Sequence, residues 1–231
     1  SELYDSMEGA FNLVLREKLN GVTDLREKIR IADEMENALV EARRTVSKTQ
    51  LQQFSTPSTI SVAALHAADI KPHDIVHEPT AGTGNLVVLA DQYNPSRIWV
   101  NELDPVRRKV LETQGYEVTG QNALAPEYTL SKSNKPLPPS VDVTVENPPW
   151  GAYSKGIYGN PVPITYRTRD GKTVSFTPND WSQRFYALIE RHALDGGRTV
   201  AVMPNNLAYT RNRTTGIISP SGREFRKYLD E

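Results

Sequence analysis

Hydrophobic positions in the first 50 residues recur at the spacing of an α-helix. Residues 2–19 place apolar side chains three and four positions apart, at Leu3, Met7, Ala10, Phe11, Val14 and Leu19. Residues 24–47 repeat the pattern, and Gly21 separates the two segments. The pattern predicts a helical hairpin or arm over residues 1–50, with the apolar stripe facing the core. A coiled coil has the same spacing, but three heptads are few, which favours a core-facing helix.

From residue 56 onward, short apolar strands alternate with helical segments. The pattern predicts strands at 74–78, 97–102, 116–120, 141–147 and 198–204. One predicted helix begins at Pro178, with Thr177 as its N-cap, and ends before Gly196. Such alternation predicts an α/β fold with a mostly parallel, Rossmann-like sheet and helices on both faces. Ligands bind such sheets beyond the carboxyl ends of the strands.

The composition is typical of a globular protein with a sizeable core. The 231 residues are 38% hydrophobic and 24% charged. The sequence has no run of 18 apolar residues, so we expect no membrane-spanning helix. The acidic, mixed first segment is not a signal peptide, so we expect a cytoplasmic protein. Cysteine is absent, which excludes disulfides and thiolate chemistry. We expect no metal site, because four histidines lack ligand spacing: His66, His73, His77 and His192.

Charge is distributed unevenly along the chain. Residues 151–231 carry 12 Lys and Arg against 7 Asp and Glu, although the whole chain has a net charge of -1. A basic segment suits a polyanionic partner, although ordinary variation of surface charge produces the same asymmetry.

A glycine-rich loop follows the first predicted strand. The segment is Glu78, Pro79, Thr80, Ala81, Gly82, Thr83 and Gly84. Its glycines let the backbone approach a ligand closely, although an ordinary strand-to-helix turn has the same composition. The carboxylate of Glu78 suits a cationic group such as an amino-acid ammonium, and it repels a pyrophosphate. This argues against a dinucleotide.

Residues after the second and third strands suggest a nucleoside. Glu102 ends the second strand, 24 residues after Glu78, where an acid is placed to accept hydrogen bonds from ribose hydroxyls. Leu103 could cover one face of an adenine ring. After the third strand, Asn122 and the adjoining Ala123 would lie at the adenine edge.

The fourth predicted strand ends in Asn147, Pro148, Pro149 and Trp150. The carboxamide oxygen of Asn147 and the carbonyl oxygen of Pro148 can both accept from one amino group. Two acceptors draw a planar, conjugated amine toward a tetrahedral shape and free its lone pair to attack. The prolines restrict the backbone, and the indole of Trp150 supplies a flat face for a base.

These motifs resemble those of the S-adenosylmethionine-dependent N6-adenine DNA methyltransferases of the gamma order. In that order a segment like QQFSTPSTI precedes the glycine-rich loop and helps to hold the methionine end of the cofactor. Phe54, Thr56 and Pro57 match it here. The resemblance covers about residues 50–231 and implies a methyltransferase domain over 51–231. It also implies S-adenosylmethionine as cofactor, DNA as partner and transfer to the N6 amine of a flipped adenine. The arrangement in this chain also resembles methyltransferase domains of phage and plasmid proteins that modify DNA against restriction. This resemblance implies a protein encoded by a bacterium or a phage.

The chain departs from this family in two ways. Asn122 stands where the family more often has Asp, and five strands are predicted where the family's sheet has seven. We therefore expect either a domain truncated at its C-terminus or a partner chain that completes the sheet and supplies target recognition. The same clamp would also suit an RNA base or a protein glutamine amide. A non-catalytic module that docks DNA or partners is a further alternative.

Cationic and aromatic residues alternate after Trp150, without clear periodicity. This interleaving predicts contact with a strand whose base has been extruded, at Tyr153, Lys155, Tyr158, Arg167, Arg169, Lys172, Arg211 and Arg213. The segment 165–176 also predicts a β-hairpin that turns at Asp170 and Gly171.

Overall fold

A computed structural model describes residues 2–43, 56–125, 141–149, 163–178, 180–189, 193–203 and 220–230. The chain divides into two compact units. The first comprises Ser1–Asn147 with His192–Val202, and the second comprises Pro148–Arg191 with Met203–Glu231. The helices of residues 2–43 therefore belong to the same unit as the strands that follow them. Within the described ranges, no helix has the length and apolar character that a membrane span requires.

Most of the elements belong to the first unit. They are α1 (Glu2–Leu19), α2 (Leu25–Arg43), α3 (Ser58–Ala68), β1 (Ile75–Glu78), α4 (Asn85–Ala90) with a 3-10 turn (Asp91–Tyr93), β2 (Arg97–Asn101), α5 (Pro105–Thr113), β3 (Val118–Thr119), β4 (Val141–Glu146) and β7 (Ala193–Ala201). The second unit contains β5 (Ile164–Arg167), β6 (Thr173–Phe176), α6 (Trp181–Ile189) and α7 (Pro220–Asp230).

Five parallel strands form the sheet of the first unit, in the order β3-β2-β1-β4-β7. They correspond to the five predicted strands, so the predicted parallel α/β architecture is confirmed. β1 and β4 lie at the centre, where Val76, Val143 and Val145 are at most 1% exposed. These side chains pack in one core with apolar residues of α1, α2, α3 and α4. Because all five strands run the same way, their carboxyl ends share one edge.

The predicted buried stripe of α1 is wrong over most of its length. Leu3, Met7 and Val14 are 71%, 37% and 44% exposed. Of the predicted positions, Leu19 is buried and Phe11 is partly buried. The other buried positions are Asp5, Glu8, Gly9, Asn12 and Leu15. The stripe is apolar only in its second half. In the first half, polar side chains find hydrogen-bond partners inside the protein, which the spacing of apolar residues cannot reveal.

The boundaries predicted around α6 and β7 also need correction. α6 begins at Trp181 rather than at Pro178, and Asp180 rather than Thr177 accepts the hydrogen bond from the Ser182 N–H (2.9 Å). β7 begins at Ala193 and includes the predicted helix terminator. A β-carbon at Gly197 would lie 2.9 Å from the Leu194 carbonyl oxygen. Glycine therefore permits a crowded stretch of strand, where the pairing of β4 with β7 shifts register.

The predicted hairpin is confirmed in the second unit. β5 and β6 pair antiparallel, and the Gly171 N–H donates to the Thr168 carbonyl (2.8 Å) across the turn. Gly171 has a φ of +83°, which glycine adopts without strain. Aromatic rings from the hairpin, α6 and α7 pack edge-to-face, tilted or stacked with centroids 5.0–6.4 Å apart, at Tyr166, Phe176, Tyr186, Phe225 and Tyr228. This cluster is the core that holds the hairpin to both helices.

Candidate active site

The loops beyond β1, β2 and β3 are joined by one buried side chain, Asn101. Its Nδ2 donates to the carbonyl oxygens of Pro79 (3.0 Å) and Gln121 (2.9 Å), and its Oδ1 accepts from the Gln121 N–H (2.9 Å). Asn101 is 2% exposed. The sequence analysis missed this residue. The available signal was a polar side chain at the end of an otherwise apolar strand, where a buried amide needs several partners.

Glu102 stabilises the glycine-rich loop by accepting hydrogen bonds from backbone N–H groups. Its Oε2 accepts from the Gly82 N–H (2.7 Å), and its Oε1 accepts from the Asp104 N–H (2.8 Å). A carboxylate has about four acceptor positions, so both oxygens keep room for a further donor. Glu102 thus lies at the predicted place, and it already organises the loop without a ligand.

Glycine is required within the loop at position 84. Gly84 has a φ of +98°, in the left-handed region that favours glycine. A β-carbon there would lie 2.6 Å from Gln114 Oε1 and 2.8 Å from Leu111 Cδ2. The close approach of α5 explains this glycine better than a ligand does.

Among the residues that the structure describes, one hydrogen bond holds the side chain of Asn147 and leaves its oxygen available. Its Nδ2 donates to Thr56 Oγ1 (2.7 Å), and its backbone carbonyl accepts from Thr80 Oγ1 (3.4 Å). Its Oδ1 is buried and has no hydrogen-bond partner in the part of the chain that the structure describes. A buried acceptor without a donor is costly, so such a site suits a ligand that brings an N–H group.

Two fully buried carboxyl groups, those of Glu78 and Glu146, lie at the carboxyl ends of β1 and β4. Burial raises the pKa of Glu78 well above its ordinary value, and the nearby Glu146 and Glu102 raise it further. Burial also raises the pKa of Glu146 to about 8. Both oxygens of Glu146 are without hydrogen-bond partners among the described residues. A raised pKa favours the protonated form, and a nearby cation has the opposite effect, so a ligand ammonium would favour the ionised form of Glu78.

The remaining predicted cofactor residues differ in exposure. Leu103 is 48% exposed, and Asn122 is exposed with its Oδ1 accepting from the Leu124 N–H (3.1 Å). Ala81 and Ala123 are buried. Thr56 is buried and Pro57 is exposed.

The rest of the predicted site lies partly in the second unit. Pro148 is buried and Pro149 is exposed, whereas Arg167, Arg169 and Lys172 are exposed on the β5–β6 hairpin. The other predicted residues lie outside the described ranges: Phe54, Trp150, Tyr153, Lys155, Tyr158, Arg211 and Arg213.

Replacing Thr56 by valine tests whether its hydroxyl orients Asn147. Valine keeps the shape of threonine but removes the acceptor of the Asn147 amide, so the carboxamide loses its fixed orientation. We expect the turnover number for methyl transfer, the activity that the sequence resemblance implies, to fall by about tenfold, the scale of one lost buried hydrogen bond. Thr56→Ser keeps the hydroxyl and should restore most of the rate. Equal rates for both variants would show that the hydroxyl does not orient Asn147.

Comparison with solved structures confirms the fold class, that of the methyltransferase α/β proteins. A modification subunit assigned to a type I restriction enzyme from Vibrio vulnificus YJ016 superposes with a TM-score of 0.53, at 21% identity over 92% of this chain and 45% of that one. The M protein of the type I restriction enzyme EcoKI superposes with the same score, at 19% identity over 99% of this chain and 57% of that one.

The sequence itself defines the family. The model of the N-6 DNA Methylase family matches residues 32–219, and the chain belongs to that family. A relative from Salmonella potsdam, the methylase subunit of the type I restriction enzyme StySPI, is 23% identical over 211 residues, covering 80% of this chain. The chain spans 37% of that relative's length and about half of the two solved subunits.

Proposed function

We propose that this chain is the catalytic part of an enzyme that transfers a methyl group from S-adenosylmethionine to the N6 amine of adenine in DNA. The observation that carries the proposal is the buried Oδ1 of Asn147, an acceptor that the described residues leave without a donor. An exocyclic amine brings the missing N–H group. Membership of the N-6 DNA Methylase family supports the same reaction and substrate.

The residues at the strand ends fit the proposed cofactor. Glu78, buried and with a raised pKa, would hold the methionine ammonium, and Glu102 has acceptor positions left for the ribose hydroxyls. Thr56 and Pro57 would lie at the methionine end, Leu103 at a face of the adenine, and Asn122 with Ala123 at its edge. When bound, S-adenosylmethionine supplies an activated methyl group on a positively charged sulfur. We propose the same role for Phe54 as for Thr56.

The chain's own contribution to catalysis would be orientation of the amine. Asn147 Oδ1 and the Pro148 carbonyl would accept its two N–H bonds, which would free the nitrogen lone pair for attack. The methyl group would pass from the cofactor's sulfur to this nitrogen, and the surplus proton of the amine would leave to solvent. Positioning of this kind supplies most of the catalysis. Trp150 would stack on the flipped base and Pro149 would stiffen the turn.

We propose that the basic hairpin contacts DNA. Arg167 is exposed at the end of β5, and Arg169 and Lys172 are exposed in the turn before β6. Lys172 pairs with Asp170 at 2.5 Å, but both side chains are more than half exposed, so the pair exchanges readily for a phosphate. Tyr153, Lys155, Tyr158, Arg211 and Arg213 complete the predicted DNA contacts.

The relatives suggest how the chain works in a larger assembly. The Salmonella relative is a methylase subunit of a type I restriction enzyme. We infer that this chain likewise belongs to a restriction-modification system, and that additional domains or a partner chain supply target recognition. The additional strands that the resemblance implies would come from the same source.

Replacing Glu102 by glutamine tests the proposed ribose contact. Glutamine presents an amide N–H where the carboxylate now accepts from Gly82 or Asp104, so one loop hydrogen bond is lost along with an acceptor for ribose. We expect the dissociation constant for S-adenosylmethionine to rise about 10- to 100-fold, the scale of one or two charge-assisted hydrogen bonds. Isothermal titration calorimetry measures this constant. An unchanged constant would exclude Glu102 from the cofactor site.

The central test combines calorimetry with a transfer assay. The purified chain is titrated with S-adenosylmethionine, and tritium-labelled methyl groups are followed into a mixed-sequence DNA duplex without adenine methylation. The matched control is the same duplex made with N6-methyladenine. Binding with transfer to the first duplex alone is the expected result. Binding with transfer only to RNA or protein would contradict the proposed substrate, and absence of binding would contradict the proposed enzyme.

A further inference from the structure

The buried face of α1 is polar where it meets the glycine-rich loop. Glu8 is 4% exposed and Asn12 is fully buried. Polar side chains are buried at acceptable cost only when hydrogen-bond partners satisfy them. The partners of Glu8 and Asn12 include atoms of the segment that binds the proposed cofactor. α1, which lies within the first 20 residues, therefore contacts the glycine-rich loop.

Thr83 lies between the two glycines of the loop. Residues of α1 and the residue that follows α5 form hydrogen bonds with it. Asn12 Nδ2 donates to its carbonyl oxygen (3.0 Å), and the Thr83 hydroxyl donates to Glu8 Oε2 (2.8 Å). Gln114, which follows α5, donates to the same carbonyl (2.8 Å). The backbone and the side chain of Thr83 are thus both fixed by residues that lie far from it in sequence.

Asn12 also reaches the first residue of α4. Its Oδ1 accepts from Asn85 Nδ2 (3.0 Å), so the two ends of its carboxamide contact the loop and the helix that follows. The Gly82 N–H, next to Thr83 in sequence, donates to Glu102. The loop is therefore held both by α1 and by Glu102.

We propose that α1 is a positioning element of the cofactor site. Glu8 and Asn12 hold Thr83 so that the loop has its ligand-binding shape before a ligand arrives. A loop with two glycines loses much conformational entropy on ordering, and contacts that order it beforehand remove that cost from binding. The identity of the ligand rests on the proposed function, whereas the ordering of the loop does not.

A purely structural role would attach α1 to the protein without affecting the loop, and two variants separate the roles. Asn12→Leu removes the hydrogen bonds with Thr83 and Asn85 and leaves a side chain of similar size. Leu15→Ala, one turn further along the buried face, removes packing but no contact with the loop. Leu15 is fully buried, so its truncation should lower the melting temperature at least as much.

The readout is amide hydrogen exchange of Gly82 and Gly84, measured by NMR without ligand well below the melting temperature. We expect Asn12→Leu to speed their exchange by about tenfold or more relative to sheet amides, and to raise the dissociation constant for S-adenosylmethionine by about tenfold. Leu15→Ala should change neither value. If both variants change exchange only in proportion to their loss of stability, the positioning role is overturned.

A second pair of variants decides the question if Asn12→Leu does not fold. Thr83→Val removes the hydroxyl that donates to Glu8, and Thr83→Ser retains it. Faster loop exchange in Thr83→Val, with rescue in Thr83→Ser, supports positioning, and equal behaviour overturns it. If the wild-type protein does not bind S-adenosylmethionine at all, the proposed function fails. The exchange data still test the ordering of the loop by α1.

Discussion

Asn147→Ala is expected to abolish methyl transfer while leaving the cofactor in place. The substitution removes Oδ1, the buried acceptor for the target amine, and Nδ2, its link to Thr56. Loss of one group that stabilises only the reacting arrangement costs about 100- to 1000-fold in turnover, and we expect at least that. The dissociation constant for S-adenosylmethionine should stay within about threefold, because Asn147 is assigned to the amine. Single-turnover transfer and calorimetry measure the two quantities.

A matched control for this prediction is Asn122→Ala. It removes the same side chain from the end of β3, where we assign the carboxamide to the cofactor's adenine edge. We expect the opposite outcome, with weaker cofactor binding and a turnover number close to that of the wild type at saturation. If Asn147→Ala kept more than about a tenth of the activity, or lost cofactor binding, its assigned role would be wrong.

Glu146→Gln is expected to make the protein more stable at alkaline pH. The pKa of Glu146 is raised from 4.5 to about 8 by burial. Between these values the unfolded chain is ionised while the folded protein keeps its proton. The contribution of Glu146 to the free energy of unfolding is therefore fully present below the pKa that this group has in the unfolded chain. It is lost as pH rises through the pKa that the group has in the folded protein. Each pH unit in this window lowers the free energy of unfolding by about 1.4 kcal/mol.

Denaturant unfolding of wild type and Glu146→Gln at pH 5, 6.5 and 8 checks this prediction. The glutamine amide is neutral throughout, so the variant should lose much of the decline that the wild type shows. Glu78, whose pKa is also raised, contributes a decline of the same sign in both proteins. Glu112→Gln, at an exposed position of α5, should leave the pH dependence as in the wild type. Parallel curves for wild type and Glu146→Gln would contradict the assignment.

Local pattern was enough to predict most of the fold. The five sheet strands were predicted as short apolar runs bounded by turn residues, and each observed strand overlaps its predicted segment. The hairpin from 164 to 176 was predicted from its Asp-Gly turn. Boundaries around α6 and β7 were wrong, because Asp180 caps the helix in place of Thr177 and β4 draws residues 193–197 into the sheet. Pairing partners such as β4 are not visible in a local window.

The positions of Glu78, Glu102 and Asn147 at strand ends followed from the sequence, because parallel strands bring their carboxyl ends to one edge. The side chains that orient Asn147 and the glycine-rich loop could not be predicted from the sequence. Thr56 is 91 residues from Asn147, and Asn12 is 71 residues from Thr83. Neither contact leaves a periodic signal.

The sequence by itself determined the class of fold, the family and the chemical groups available at the strand ends. These depend on local periodicity and on the identity of residues in short motifs, which a linear chain displays directly. Only the tertiary structure decided that α1 buries polar residues, that Glu8 and Asn12 reach the glycine-rich loop, and that the oxygen of Asn147 is left as a buried acceptor. The physical reason is that burying a polar group is favourable only with a partner, and folding alone brings distant partners together.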